Sequence, residues 1–398
     1  MRSKIVRHML GISGGKDSAA LALYLNKKYT QEELPIEYYT CDTGKELKET
    51  YTLIKQLESE LGIEIKRLTS IDHNAVNENS PFDFFIREYG GYLPSQNARW
   101  CTKKMKLEPF ENLVGDSPVI SYVGIRGDEF REGYISTKPN IQSIFPFRKN
   151  IWSLDVTVKF LNNSNIDQIE SYYLNHINSK IKKDELINVI RRPIDRSFQM
   201  KSKFDLLLNY GVVLFNKVVF DFLKTTDYPV GKLDNFPLIY NDDVLIRKDI
   251  YEIIEKSNVD LPAYYLPIEY EVDGEKGKYF RSRSGCFFCF FQQNIEWVWL
   301  LEQHEDLFWE AAKYEKEGYT WIHGESLEKL ARPERVLAIK REHLKRIKRK
   351  YENLVKPTDW QKQVLGEVKI NPLELEKNKE WLEAIAESES EGCANCFI

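Results

Sequence analysis

Residues 9–25 read MLGISGGKDSAALALYL. An apolar run meets a turn packed with small residues, and the turn meets a helical pattern. Few backbone paths satisfy that order: a strand must end, turn sharply and start a helix. Such a turn aims several backbone N–H groups into one space, at a helix N-terminus that carries partial positive charge. Gly14 and Gly15 let an anion approach the backbone, Lys16 adds a full charge, and Ser13 and Ser18 add hydroxyl donors. The pattern reads as a phosphate cradle, with a plain helix cap as the alternative. It is not the G-x-x-x-x-G-K-[ST] loop, because Asp17 follows the lysine.

The rhythm downstream extends the argument. KIVRHMLGIS, IEYYTCDTG, IEIKRL and VISYVGIRGDE read as strands, with helical patterns at KDSAALALYLNKKY and KELKETYTLIKQLESELG, the second closed by Gly62. Alternating strands and helices predict a Rossmann-like α/β fold with a parallel sheet. Ligands of such sheets sit beyond the strands' carboxyl ends, where SGGKDS, CDTGKE and RGDEFR fall. The expected organisation is a nucleotide-binding part over 1–149, an inserted helical module over 150–235, a return to the parent domain over 236–295, and a helical C-terminal region over 296–398.

These segments together resemble the PP-loop ATP pyrophosphatases and the PAPS reductase-like proteins. SGGKDS resembles the PP-loop, CDTGKELKET the DTG-x-E…T element, RWCTKKMKLEPF the R-x-C-T…K-x-x-P element and VGIRGDEFRE the G-x-R-x-x-E-x-R element. RSGCFFCFF and the helical stretch after it resemble the C-terminal part of the PAPS reductase-like proteins. The resemblance implies an adenine nucleotide alpha hydrolase-like fold that binds ATP with Mg²⁺. It implies nucleotide contacts from Ser13, Gly14, Gly15, Lys16, Asp17, Ser18, Asp42, Thr43, Gly44, Arg126, Glu129 and Arg131. Lys16, Asp17 and Arg126 would be the catalytic residues. Asp17 and Asp42 either meet Mg²⁺, orient the nucleotide or cap turns; Arg126, Glu129 and Arg131 either meet phosphate or form surface ion pairs.

Six cysteines include two C-x-x-C pairs, Cys286/Cys289 and Cys393/Cys396. That spacing suggests metal or cluster ligation, or redox work. The chain ends AESESEGCANCFI and lacks the E-C-G-(I/L)-H context of simple PAPS reductases. It is closer in type to the DNA phosphorothioation sulfurtransferases, where Cys101, Cys286 and Cys289 match ligands of a [4Fe–4S] cluster and Cys393 or Cys396 is available as the fourth. A Zn²⁺ knuckle of Cys286, Cys289, Cys393 and Cys396 is the alternative, and so is a cluster iron left open to carry sulfide. Cys41 reads as a small core residue. His73, His176 and His343 read as structural or solvated.

The net charge of −4 gives no global case for nucleic acid. The local case is IKREHLKRIKRKYENLVK, residues 339–356, with eight Lys/Arg and two Glu. Leu344, Ile347, Tyr351 and Leu354 share one face and the rest is basic, which suits either a phosphate backbone or a solvated amphipathic helix. Composition is ordinary for a soluble protein, at 42% hydrophobic and 30% charged. No apolar run approaches the roughly 18 residues of a membrane span. The expectation is a cytoplasmic enzyme that adenylates an acceptor in nucleic-acid sulfur modification, such as DNA phosphorothioation for phage defence. A sulfur donor such as a cysteine desulfurase and other defence-system subunits would be its partners. The rivals are a PAPS/APS reductase-type oxidoreductase and a non-catalytic nucleotide-binding subunit.

Overall fold

A computed structural model describes residues 5–71, 80–129, 136–177 and 183–355. β1 (Arg7–Gly11) is buried from His8 onward and leads into α1 (Lys16–Lys28). β2 (Ile36–Cys41), α2 (Lys48–Leu61) and β3 (Lys66–Leu68) follow. Gly62 closes α2 at φ 62°, a left-handed position that glycine adopts without strain. α3 (Pro81–Glu88) starts at Ser80, whose hydroxyl accepts the Asp83 N–H. α4 (Trp100–Thr102) passes through a π-helical turn (Lys103–Leu107) into α5 (Glu108–Val114). Pro109 lacks the N–H that a continuous α-helix would use there. β4 (Val119–Tyr122) and β5 (Ile141–Ile144) complete the sheet.

The sheet is parallel throughout, in the order β3-β2-β1-β4-β5. The α/β fold with a parallel Rossmann-like sheet is therefore as expected. β5 has no counterpart among the sequence readings, since IQSI is four residues long and carries little pattern of its own. The order makes β1 and β4 the switch point, where successive connections leave in opposite directions and open a crevice. The turns after β1, β2 and β4 all face it.

Alternation along the strands divides the two faces. Leu10 and Tyr38 join α1 in the largest core, while Met9, Tyr39 and Val119 pack with Phe110 and Val114 of α5 on the other face. α6 (Leu154–Phe160), α7 (Ile166–His176), α8 (Lys183–Arg191), α9 (Met200–Tyr210), α10 (Val212–Leu223) and α11 (Arg247–Glu255) come next. Their apolar residues join the α1 side in one continuous core. No single described helix is long and apolar enough to cross a membrane. The pair α9–α10 passes on combined length and composition, but it is bent by 115°, and eight of the α10 residues are buried.

The antiparallel pair β6 (Ile268–Val272) and β7 (Glu275–Tyr279) belongs to a separate core. α12 (Asn294–Gln303), α13 (Glu305–Ala312), α14 (Leu327–Leu330) and α15 (Pro333–Val355) build the rest of it. Trp100, Phe82 and Leu47 reach into this core from the sheet side. The second core thus rests against the same edge of the sheet as the crevice.

Candidate active site at the switch point

The turn after β1 is held by its own hydroxyls. Ser18 Oγ accepts the Ser13 N–H at 3.2 Å and lies 3.1 Å from Ser13 Oγ. The Ser18 hydroxyl donates to the Gly15 carbonyl at 3.1 Å. Gly14 sits at φ 71° with Thr50 packed where a β-carbon would go. Gly15 precedes α1 and has no side chain to cap it, and the Tyr265 hydroxyl stands against the Lys16 backbone. The N–H groups of a helix's first turn suit an anion.

Charge at the turn is concentrated and buried. Lys16 Nζ donates to Asp17 Oδ2 at 2.7 Å, and Arg126 Nη1 donates to Asp17 Oδ1 at 2.9 Å. Arg126 also reaches Asp128 at 2.8 Å and Glu129 at 2.7 Å. Lys16, Asp17 and Arg126 are each at most 5% exposed. Burial pushes Lys16 down to about 8, against the pull of Asp17. Burial alone would raise Asp17, but Lys16 and Arg126 hold it far below the ordinary carboxylate range. Burial opposes the charge on Arg126, and Asp17, Glu129 and Asp128 more than restore it. Two cations thus share one carboxylate, an arrangement in which an incoming polyanion can take over both.

The turn after β2 forms the facing wall. Asp42 Oδ1 accepts the Gly44 N–H at 2.8 Å and the Tyr51 hydroxyl at 2.9 Å. Thr43 Oγ1 donates to Glu46 Oε1 at 2.6 Å and lies 3.2 Å from Cys286 Sγ. Burial raises the Glu46 carboxyl. Ser13, Asp42, Glu46, Tyr51, Lys106 and Gly285 line a cleft here.

A second cavity adjoins it. Cys101, Cys286 and Cys289 all line it, together with Met105, Phe82, Phe288, Phe290, Phe291 and Trp321. Lys106 and Gly285 belong to the walls of both spaces. Burial pushes the Cys286 thiol well up, with Glu46 adding to the rise and Lys106 opposing it. Among the described residues, no three His, Cys, Asp or Glu side chains converge closely enough to hold one metal ion.

Residues 7–148 match the family model described as the phosphoadenosine phosphosulfate reductase domain. This part of the chain is similar to that domain. Such domains belong to the PP-loop ATP pyrophosphatase superfamily. Two curated relatives are uncharacterized proteins of Methanocaldococcus jannaschii. MJ0066 is 32% identical over 151 residues, 37% of this chain and 28% of the relative. MJ0973 is 28% identical over 153 residues, 35% of this chain and 34% of the relative. The chain therefore spans about a third of the length of these relatives. No solved structure matches it.

Within the matched residues 7–148, the turns bring Ser13, Gly14, Gly15, Lys16, Asp17, Ser18, Asp42, Thr43, Gly44, Arg126 and Glu129 to one edge of the sheet. Arg131, Cys393, Cys396 and His73 lie outside the described residues. Both Asp17 oxygens are engaged by cations. Cys41 is half-buried on the cleft wall, with its thiol directed at the Lys106 carbonyl and burial raising it to about 12. His343 is buried against the Tyr270 hydroxyl, and His176 bonds Asp221.

Three site features escaped the sequence reading. Glu46 stood inside the quoted DTG-x-E element, and its role needed the fold to show. Tyr264 donates to the Gly14 carbonyl at 3.0 Å, and Tyr265 places its ring 5.1 Å from Lys16 Nζ. Neither tyrosine carries a local signal. On α15, Arg341, Lys345 and Arg349 are exposed as the helical spacing predicts, and Leu344 is buried. However, Arg341 is tied to Asp273 and Lys348 to Glu275, both on the β6–β7 hairpin.

Proposed function

We propose that the protein binds MgATP at the β1–α1 turn and transfers its adenylyl group to an acceptor, releasing pyrophosphate. The observation that carries this reading is the wall shared by the phosphate turn and a three-thiol cavity, through Lys106 and Gly285. Lys16 and Arg126 exchange part of their contact with Asp17 for the phosphates. An acceptor oxygen attacks the α-phosphorus and loses its proton to water. The bond between the α-phosphorus and the bridging oxygen to the β-phosphorus breaks, and the electron pair leaves on pyrophosphate. Lys16 and Arg126 neutralise that growing charge in a buried site, where such contacts act most strongly. Asp42 and Tyr51 line the neighbouring cleft.

We read the thiol cavity as the place for an iron–sulfur cluster. Cys101, Cys286 and Cys289 line one aromatic-walled space, and thiolates are the usual ligands of such a cluster. Cys101, Cys286 and Cys289 would hold it, with the fourth ligand left to the C-terminal cysteines. A cluster bound there would supply electrons or sulfide beside the activated acceptor. The zinc knuckle depends on Cys393 and Cys396, so it remains the rival for metal analysis to decide. The acceptor we favour is nucleic acid destined for sulfur modification, as in phosphorothioation-based defence, met through α15 and served in the cytoplasm by a sulfur donor such as a cysteine desulfurase.

The matched family description favours one second reading, attack of a thiolate on the sulfur of PAPS. Product analysis separates the two. Incubation with ATP and mixed nucleic acids should yield AMP-level products and pyrophosphate. Thiol-dependent sulfite from PAPS, with ATP untouched, would favour the reductase. Nucleotide binding with neither product would leave a nucleotide-sensing subunit and overturn the proposal.

A further inference from the structure

The segment from Arg281 to Cys286 reads RSRSGC and reaches the phosphate turn from the second core. Ser284 makes the contact. A β-carbon on Gly15 would stand 2.5 Å from Ser284 Oγ and 3.1 Å from the Tyr265 hydroxyl oxygen. Gly15 is the residue before α1 and supplies no side-chain cap to it. A hydroxyl from a remote part of the chain is therefore held against the backbone suited to phosphate. Ser284 also lines the thiol cavity, two residues before Cys286.

The segment is firmly anchored. Arg281 is 2% exposed. Its Nη2 donates to the Cys286 carbonyl and to Gln292 Oε1, both at 3.0 Å. Its backbone N–H donates to the Tyr264 carbonyl, and the Tyr264 hydroxyl donates in turn to the Gly14 carbonyl. Ser282 is fixed by Glu296 through its N–H and its hydroxyl. Arg281 Nε and Nη1 are buried without a hydrogen-bond partner among the described residues. Its guanidinium also faces the Tyr264 and Trp299 rings, each centroid 5.9 Å away. Position and anchoring point the same way.

We propose that Ser284 is a phosphate-binding residue, its hydroxyl donating to a phosphate oxygen held at the N-terminus of α1. Arg281 is the positioning residue that fixes the segment. This rests on the reading of the β1–α1 turn as a nucleotide site. It extends that site to a segment far along the chain, outside the matched domain, and makes one short stretch serve both phosphates and thiols.

The test is equilibrium binding of ATP, pyrophosphate and adenosine to the full chain and its variants. Ser284→Ala should weaken ATP and pyrophosphate about tenfold or more, the effect expected of losing a hydrogen bond to a charged group. Adenosine affinity and the melting temperature should not move. Ser284→Gly removes the same hydroxyl by another route and should show the same selective loss, which keeps the test open if one variant misfolds. Lys16→Ala serves as the control for the turn itself. If Lys16→Ala weakens ATP while both Ser284 variants bind it like the wild type, the Ser284 proposal alone is overturned. Equal losses for adenosine and pyrophosphate would show a structural role and overturn it as well. A wild-type chain that binds neither ATP nor pyrophosphate would overturn both this proposal and the nucleotide reading.

Discussion

Lys16 and Asp17 are neighbours in sequence, yet each is defined by a residue from elsewhere. Arg126 arrives from the turn after β4 and makes Asp17 the shared counter-charge of two cations. Burial dominates the outcome at Lys16, which titrates near 8 and not in the usual lysine range. The sign follows directly. A lysine whose folded value is lowered gives up its proton at lower pH, and only the cation attracts phosphate. ATP affinity should therefore hold below pH 7 and fall through pH 8 to 9. Binding above pH 8 should take up close to one proton, measured by calorimetry in buffers of different ionisation enthalpy. An affinity that stays level to pH 10 would contradict this account of Lys16. The sequence made Lys16 and the glycines legible because strand, turn and helix signals coincide there. It could not show that Asp17 bonds two cations, since the second partner is set by strand order.

At the scale of elements, the site depends on how closely the turns pack. Gly124 follows β4, and a β-carbon there would lie 2.8 Å from the Asp17 carbonyl oxygen. That neighbour is backbone, so it cannot rotate away. Gly124→Ala should push the start of α1 from the sheet, lower stability by about 1–3 kcal/mol and weaken ATP binding. Chemical denaturation and titration of the same variant check both effects; a stable variant with full affinity would mean the contact is loose. The helix α15 calls for a different measurement. Arg341 and Lys348 are partly neutralised by Asp273 and Glu275, whereas Lys345 and Arg349 are exposed. Reversing Lys345 and Arg349 to Glu should weaken nucleic-acid binding broadly and flatten its salt dependence, with little effect of base sequence. No salt-dependent affinity in the wild type would leave α15 as a solvated face. Helical periodicity revealed this helix in the sequence, but the acidic hairpin that answers its charges is a tertiary feature. β5 was hidden for a related reason: its four residues are recognisable as a strand only through their pairing with β4.

Across the whole molecule, two cores meet at one edge of a parallel sheet. One positions the phosphate turn, and the other brings Ser284 to it and holds Cys286 and Cys289 in the adjoining cavity. The C-x-x-C spacing announced a thiol pair in the sequence. Its companionship with Cys101, and its position one wall away from the phosphate turn, come from packing between distant segments. We propose that the phosphate turn and the thiol cavity form one centre and not two. Anaerobically purified protein should contain iron and sulfide and show a visible charge-transfer band, lost in Cys101→Ser, Cys286→Ser and Cys289→Ser alike. The most direct measurement is to titrate ATP into that protein while recording the visible and electron paramagnetic resonance spectra. A single centre should give a saturable change in the cluster signal, absent in Lys16→Ala. Protein that holds zinc instead, or an iron signal indifferent to bound ATP, would contradict it.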